Sequence, residues 1–300
     1  MFRGVLEMEN ISKHEYDSMV CPFVTGGKVT GEKFIGRGEY IKRCIRKLKG
    51  RNSIALRGIP RIGKSSLAIR LLDIMKELEE EVIISLYIDL SNCSSFLHFW
   101  QETVKALEAE LSTDDSEMIR LLSVVKNKAD SYETMKDAVE KLFTYTCRQG
   151  KRVVLCIDEF DSASSVLMDN TAGPLCNFMF MRTMMTSTRE YGLSFIIVTR
   201  RSLSSIESKA DGGSTFDGAI ETMPVRGFSD NELSEFREYG EKHGVFLSDE
   251  EWDMFVGQAG RSPFMLSRTA MALLDSEVGL VSKRRCTTTI RRTTRILTDC

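Results

Sequence analysis

The chain has 300 residues, 42% hydrophobic and 28% charged, with 5 prolines and 21 glycines. That is the balance of a globular protein able to bury a core, and it excludes collagen-like, linker-type and long disordered chains. With 41 Lys and Arg against 43 Asp and Glu the net charge is −2, so no global positive field draws in nucleic acid and only a local patch can do so.

Residues 1–20 mix charges with apolar side chains and lack the apolar segment of a secretory signal. The eight cysteines include no Cys-x-x-Cys spacing, so zinc is not expected, and the thiols read as reduced in a cytoplasmic protein. The run 53–57 ends at Gly58, and after Gly63 the residues Leu67, Ile69, Leu71, Leu72, Ile74 and Met75 recur at helical spacing. This predicts strand, loop and helix. A second strand follows over 82–89, then largely helical sequence over 96–148 with polar breaks. Strands resume over 152–158 and 193–199, separated by a helical stretch over 178–189. No apolar run approaches the roughly 20 residues that cross a bilayer. Alternating strands and helices predict a mostly parallel sheet covered on both faces.

Beyond Val225 the pattern changes. Phe228-Ser-Asp-Asn-Glu, Leu247-Ser-Asp-Glu-Glu and Ser262-Pro-Phe each read as a helix start, which predicts a small helical lid. Residues 282–300 carry six basic residues, one acid and many threonines and fit neither unit. The predicted division is a lead over 1–20, an α/β core over 21–226, a helical lid over 227–277 and a basic tail over 278–300.

Gly58-Ile59-Pro60-Arg61-Ile62-Gly63-Lys64-Ser65 is a complete G-x-x-x-x-G-K-[ST] motif between a predicted strand and a predicted helix. Its glycines let the backbone wrap a phosphate, and the helix N-terminus, reaching to Ser66, adds positive potential. Lys64 is expected at the β- and γ-phosphates and Ser65 on magnesium. Asp158 and Glu159 close a core strand, where open α/β sheets bind ligands. The expected roles are magnesium orientation for Asp158 and water activation for Glu159. Asp161 reads as a helix cap. Asn127-Lys-Ala-Asp130 spells a guanine-reading N-K-x-D, but it precedes Asp158, opposite to the order in GTPases, and reads as a solvated helix end. The fold class is therefore an α/β P-loop NTPase sandwich of three layers with a five-stranded parallel sheet.

Cys21-Pro22-Phe23 with Gly26-Gly27, then Phe34-Ile35-Gly36-Arg37, resembles the lead-in of prokaryotic AAA-like ATPases of the STAND class. The resemblance extends from about residue 22 to 275. It implies an adenine pocket at Phe34, Ile35 and Arg37 with Phe23 nearby, and a sensor role for Arg200 after Thr199, facing the γ-phosphate. Gly260-Arg-Ser-Pro263 resembles the family's lid element with one extra residue, and Pro263 is carried over on that basis. The expected cofactors are ATP and Mg2+, with Glu159, Lys64 and Arg200 as the catalytic set. The expectation is a slow, partner-regulated ATPase switch with ADP as product. Its partners are a nucleotide-dependent homo-oligomer and a protein effector, with no membrane. Two alternatives stand beside it: a DNA-loading ATPase resembling replication initiators, with nucleic acid unsupported outside the tail, and a nucleotide-stabilised scaffold without turnover.

Overall fold

Successive residues of one strand feed two different cores. Val153, Leu155 and Ile157 pack with Phe96, Phe99, Trp100 and Phe195, while Val154 and Cys156 pack with Leu48, Leu67, Leu71 and Ile196. This is the period-2 alternation of a strand buried on both faces. The computed structural model describes residues 22–277 except 79–81, 112–113, 168–173 and 208–216. The lead over 1–20, Cys21 and the tail over 278–300 lie outside the described residues.

Helix α1 (Gly38–Lys49) precedes strand β1 (Ile54–Arg57), and α2 (Lys64–Lys76) follows it. Strand β2 (Val82–Asp89) leads into α3 (Phe96–Glu110), α4 (Ser116–Asn127) and α5 (Tyr132–Arg148). Strand β3 (Lys151–Asp158), α6 (Pro174–Thr186), β4 (Leu193–Thr199) and β5 (Glu221–Pro224) complete the sheet. All strand pairs are parallel, in the order β2-β3-β4-β1-β5. β1 thus lies between β4 and β5, and the carboxyl ends of β1, β3 and β4 converge on one edge, where ligands of such sheets bind.

α7 (Asp230–Lys242), α8 (Asp249–Ala259) and α9 (Pro263–Glu277) follow. Ser229 and Glu232 form a capping box at the start of α7, and Ser248 and Glu251 another at α8. Each box satisfies orphan backbone donors of the first turn from both directions. Pro263 opens α9, where its missing N–H costs nothing. These helices share a third core of Phe228, Leu233, Phe236, Phe255, Leu266 and Leu273. Phe23 joins that core, with ring centroids 5.6 Å from Phe236 and 5.7 Å from Tyr239. Phe23 thus packs directly behind Phe236, and a buried aromatic gains from such a ring cluster.

Candidate nucleotide site

The loop after β1 is shaped by backbone demands that only certain residues meet. A Cβ on Gly58 would lie 2.6 Å from the Val225 carbonyl oxygen, closer than packing allows, because Val225 N–H donates to Arg57 O at 2.7 Å and holds the β5 end against β1. Gly63 has φ 93° and turns the chain into α2. Four non-glycine residues among those described have positive φ: Arg37, Arg51, Arg61 and Glu159. Three of them line two adjoining cavities here, the concentration of strained backbone found at functional sites.

The larger cavity, of about 420 Å³, is lined by Pro60, Arg61, Gly63, Lys64, Ser65 and Ser66 of the loop and α2, with Asp158, Glu159 and Arg200. Pro263, Phe264 and Ser267 of α9 form its far wall. Its size is in the range of small-molecule sites. Lys64 is buried, and its ammonium donates to the Ile59 carbonyl at 3.0 Å. Burial lowers its pKa, opposed by the charges of Glu159, Asp158 and Asp161. Gly58 and Ile59 do not line the cavity, and Ile59 is 66% exposed.

Asp158 is 2% exposed at the end of β3. Its Oδ1 accepts the Glu159 N–H at 2.8 Å, and its Oδ2 accepts the Tyr87 hydroxyl and lies 3.7 Å from the Lys28 ammonium. Tyr87 pairs in register with Cys156, so it shares the face of β3 that carries Asp158. Burial, and then the hydrogen bond to Asp158, push the Tyr87 hydroxyl well above its usual pKa and keep it a donor. Glu159, at φ 49°, turns its side chain away from the strand, and its Oε2 accepts from Arg200 at 3.2 Å.

Asp161 does not cap a helix. Its carboxylate accepts the backbone N–H of Arg200 at 2.7 Å and of Arg201 at 3.1 Å, and the Arg201 Nε at 3.1 Å. The reason is topological: β3 and β4 are neighbours, so the turn after one reaches the end of the other, and two free N–H groups outcompete a helix end as partners. Asp161 therefore positions Arg200.

The smaller cavity adjoins the first and is lined by Phe34, Ile35, Arg37, Ile62, Phe228, Phe236 and Pro263. Arg37 is buried; its guanidinium donates to Ile62 O at 3.2 Å and lies 5.0 Å over the Phe228 ring. Burial lowers its pKa, with Glu232 opposing. Its N–H donates to Glu232 Oε1 at 2.7 Å while Glu232 Oε2 accepts from Ser229, so one carboxylate both caps α7 and ties it to the segment before α1. Lys28, Tyr87, Phe228, Phe264 and Ser267 were not singled out by sequence. Lys28 directly follows Gly26-Gly27, Phe228 opens a helix-start segment and Phe264 follows Pro263, but none of these contexts assigns the side chain to a cavity. Residues 127–130 sit at the C-terminal end of α4 and line neither cavity.

Among the described residues no helix is long and apolar enough to cross a membrane. No curated protein matches the chain. Among solved structures, a Walker-type ATPase of Pyrococcus abyssi is 16% identical with TM-score 0.65, covering 93% of this chain and 77% of that one. The ORC2 protein of Aeropyrum pernix, in ADPNP–ADP complexes, is 12% identical with TM-score 0.61, covering 87% and 70%. Drosophila ORC bound to DNA is 14% identical with TM-score 0.57, covering 97% and 69%. At such identities the likeness is one of fold. A family model described as an AAA domain matches residues 45–206. Because that match covers more than half of the chain and takes in the phosphate loop, both acids at the end of β3 and Arg200, the chain belongs to the AAA domain family of P-loop proteins.

Proposed function

We propose that the chain binds ATP with magnesium between its α/β core (21–226) and its helical lid (227–277) and hydrolyses it as a slow, partner-regulated switch of the STAND kind. The observation that carries this reading is the single cavity in which the phosphate loop, Asp158, Glu159 and Arg200 face Pro263, Phe264 and Ser267 of α9. The residues present fit magnesium. That ion is held by one or two carboxylates together with phosphate oxygens and water, and Asp158 is a buried carboxylate with Ser65 in the same cavity. No group of three or more His, Cys, Asp or Glu able to hold a metal exists among the described residues, which agrees with a site that phosphates complete. Magnesium bound there supplies charge neutralisation of the β- and γ-phosphates.

In this reading Lys64 exchanges the Ile59 carbonyl for phosphate oxygens. Glu159 takes a proton from the water whose oxygen attacks the γ-phosphorus, the bond to the bridging oxygen breaks, and ADP leaves with the electron pair. Arg200, held by Asp161, balances charge on the transferred group. The apolar walls at Phe34, Ile35, Ile62 and Phe228 take adenine, and Arg37 braces them. ATP and ADP then favour different arrangements of core and lid, and self-assembly follows the nucleotide. Lys64→Ala is expected to abolish tight binding of a fluorescent ATP analogue. Glu159→Gln is expected to retain binding while phosphate release falls by about 10²–10⁴-fold. Unchanged affinity in the first or unchanged turnover in the second removes that residue from its role.

A second reading, a DNA-loading ATPase, is favoured by one observation. The exposed face of α1 carries Lys42, Arg43, Arg46 and Lys49, in a fold similar to that of Drosophila ORC bound to DNA.

A further inference from the structure

Residues 22–29 run from the C-terminal helices to α2 along the phosphate cavity, and both ends are tied down. At one end the Pro22 carbonyl accepts the Tyr239 hydroxyl at 2.9 Å, and Phe23 is buried in the third core. At the other, Val29 N–H donates to Ser66 Oγ at 2.9 Å. Val24 to Val29 line the cavity between these anchors. The segment holds one ionisable side chain, Lys28.

The Lys28 ammonium makes three contacts, and all of them converge on one carboxylate. It lies 3.7 Å from Asp158 Oδ2, it donates to the Tyr87 hydroxyl, and it sits 4.1 Å over the Tyr87 ring. Tyr87 itself donates to the same Oδ2. A carboxylate buried to this degree is costly without counter-charge, and Lys28 supplies it in direct contact, with the Lys64 ammonium further off. The Lys28 side chain is 41% exposed, so the pair is partly screened and exchangeable rather than a fixed element of the core.

A divalent cation held by Ser65 and Asp158 draws on the same carboxylate, whose Oδ1 already accepts the Glu159 N–H, and two cations placed beside it repel each other. We propose that Lys28 and the divalent cation are alternative counter-ions of Asp158, so that entry of the metal–nucleotide detaches Lys28 and loosens the 22–29 segment that joins the cavity to the C-terminal helices. The proposal rests on the reading of Asp158 as the metal carboxylate. It makes residues 22–29 a strap whose latch reports on the metal and whose anchor is in the lid.

The test is a magnesium titration of the binding of N-methylanthraniloyl-ADP to the full chain, with Lys28→Met and Lys28→Arg as variants. Methionine keeps the stem over Tyr87 and removes the charge; arginine keeps the charge. Loss of a half-exposed competing cation is expected to lower the half-saturating magnesium concentration about two- to fivefold in Lys28→Met, and Lys28→Arg is expected to match the wild type. Hydrogen exchange in 22–29 is expected to quicken with magnesium and ADP relative to ADP alone in the wild type, and to be already fast without magnesium in Lys28→Met. An unchanged or raised magnesium requirement in Lys28→Met overturns the proposal. So does equal exchange of 22–29 in the two wild-type conditions. Weaker nucleotide binding by Lys28→Met at saturating magnesium also overturns it, because it assigns Lys28 to a phosphate. If the wild type binds no nucleotide, or binds it without regard to magnesium, the reading of the site itself falls; magnesium-dependent binding unaffected by Lys28→Met removes the latch alone.

Discussion

Asp161 links the two strands that carry the site's acids and its arginine. Burial acts to raise its pKa, but the N–H groups of Arg200 and Arg201 and the Arg201 side chain outweigh burial and hold the carboxyl below its usual range. A carboxyl lowered on folding contributes stability that is present in full above its unfolded pKa, about 4, and is lost as the pH falls through the lower folded value. Asp161→Asn keeps the shape and removes the charge. At neutral pH it is expected to cost about 1–3 kcal/mol, the range for leaving buried donors with a poorer acceptor. On acidification below about pH 4 the variant is expected to lose less stability than the wild type, because this carboxylate no longer titrates. Urea unfolding of both proteins at neutral pH and in that acid window measures the difference. Parallel losses would mean that the arginine contacts do not depend on the charge. Turnover in Asp161→Asn is expected to fall with nucleotide affinity retained, since Arg200 would lose its support.

Among the elements, α1 combines a buried face, where Cys44 and Leu48 join the core of the phosphate-loop strand, with a cationic outer face. Lys42, Arg46 and Lys49 fall at i, i+4 and i+7, so they form one ridge, with Arg43 beside it. Glu39 pairs with Lys42 at 2.7 Å, and Glu221 of β5 pairs with Lys47, which neutralises part of the face. None of the exposed large apolar residues lies on α1, so the face is electrostatic rather than membrane-inserting. If it contacts phosphates, Arg43→Glu with Arg46→Glu is expected to weaken binding of a fluorescent DNA duplex and to flatten the log–log salt slope by about 2. Anisotropy titrations at several salt concentrations check this, and an unchanged slope rejects α1 as the DNA face. The cluster stands in the sequence as a basic run between residues 42 and 51, whose helical face only the burial of Cys44 and Leu48 defines. Other elements were legible or hidden for physical reasons. The phosphate loop and β3 declare themselves, because the close approach of Gly58 to Val225 and the positive φ of Gly63 favour glycine at those positions, and the middle of β3, 153–157, is apolar because it is buried on both faces. β5 does not declare itself: Glu221-Thr-Met-Pro224 is a four-residue edge strand with a charge and a proline. Lys28, Tyr87 and Asp158 meet only through the fold, since Lys28 and Tyr87 are 59 residues apart and Tyr87 and Asp158 are 71 apart. Asp161 was misread because its partners lie 39 and 40 residues further on.

At the scale of the whole molecule, the C-terminal helices have their own apolar core, and several contacts join them to the phosphate loop and to the segments before α1. Arg37 N–H donates to Glu232, the Arg61 guanidinium lies 4.5 Å over the Phe264 ring, and the Pro22 carbonyl accepts from Tyr239. Such contacts contribute of the order of 1 kcal/mol each, small enough for a bound nucleotide to outweigh. Moving a two-state equilibrium from 1:9 to 9:1 requires about an 80-fold preference of ligand for one state, or about 2.6 kcal/mol. One or two charge-assisted hydrogen bonds to a γ-phosphate, at about 1.5–3 kcal/mol each, supply that difference, and ADP cannot make them. A variant that holds ATP without cleaving it therefore isolates the closed arrangement. Glu159→Gln with ATP is expected to resist proteolysis longer, or to run at higher mass, than wild type with ADP, because closure brings the cavity faces of core and lid together. Limited proteolysis and light scattering, each with ATP, ADP and no nucleotide, measure both properties on the same samples. Protection that follows ATP in Glu159→Gln and fades in the wild type at the rate of phosphate release would tie closure to the γ-phosphate. Equal protection with ATP and ADP would leave a nucleotide-binding ATPase whose two nucleotide states share one arrangement, and the switch would be rejected.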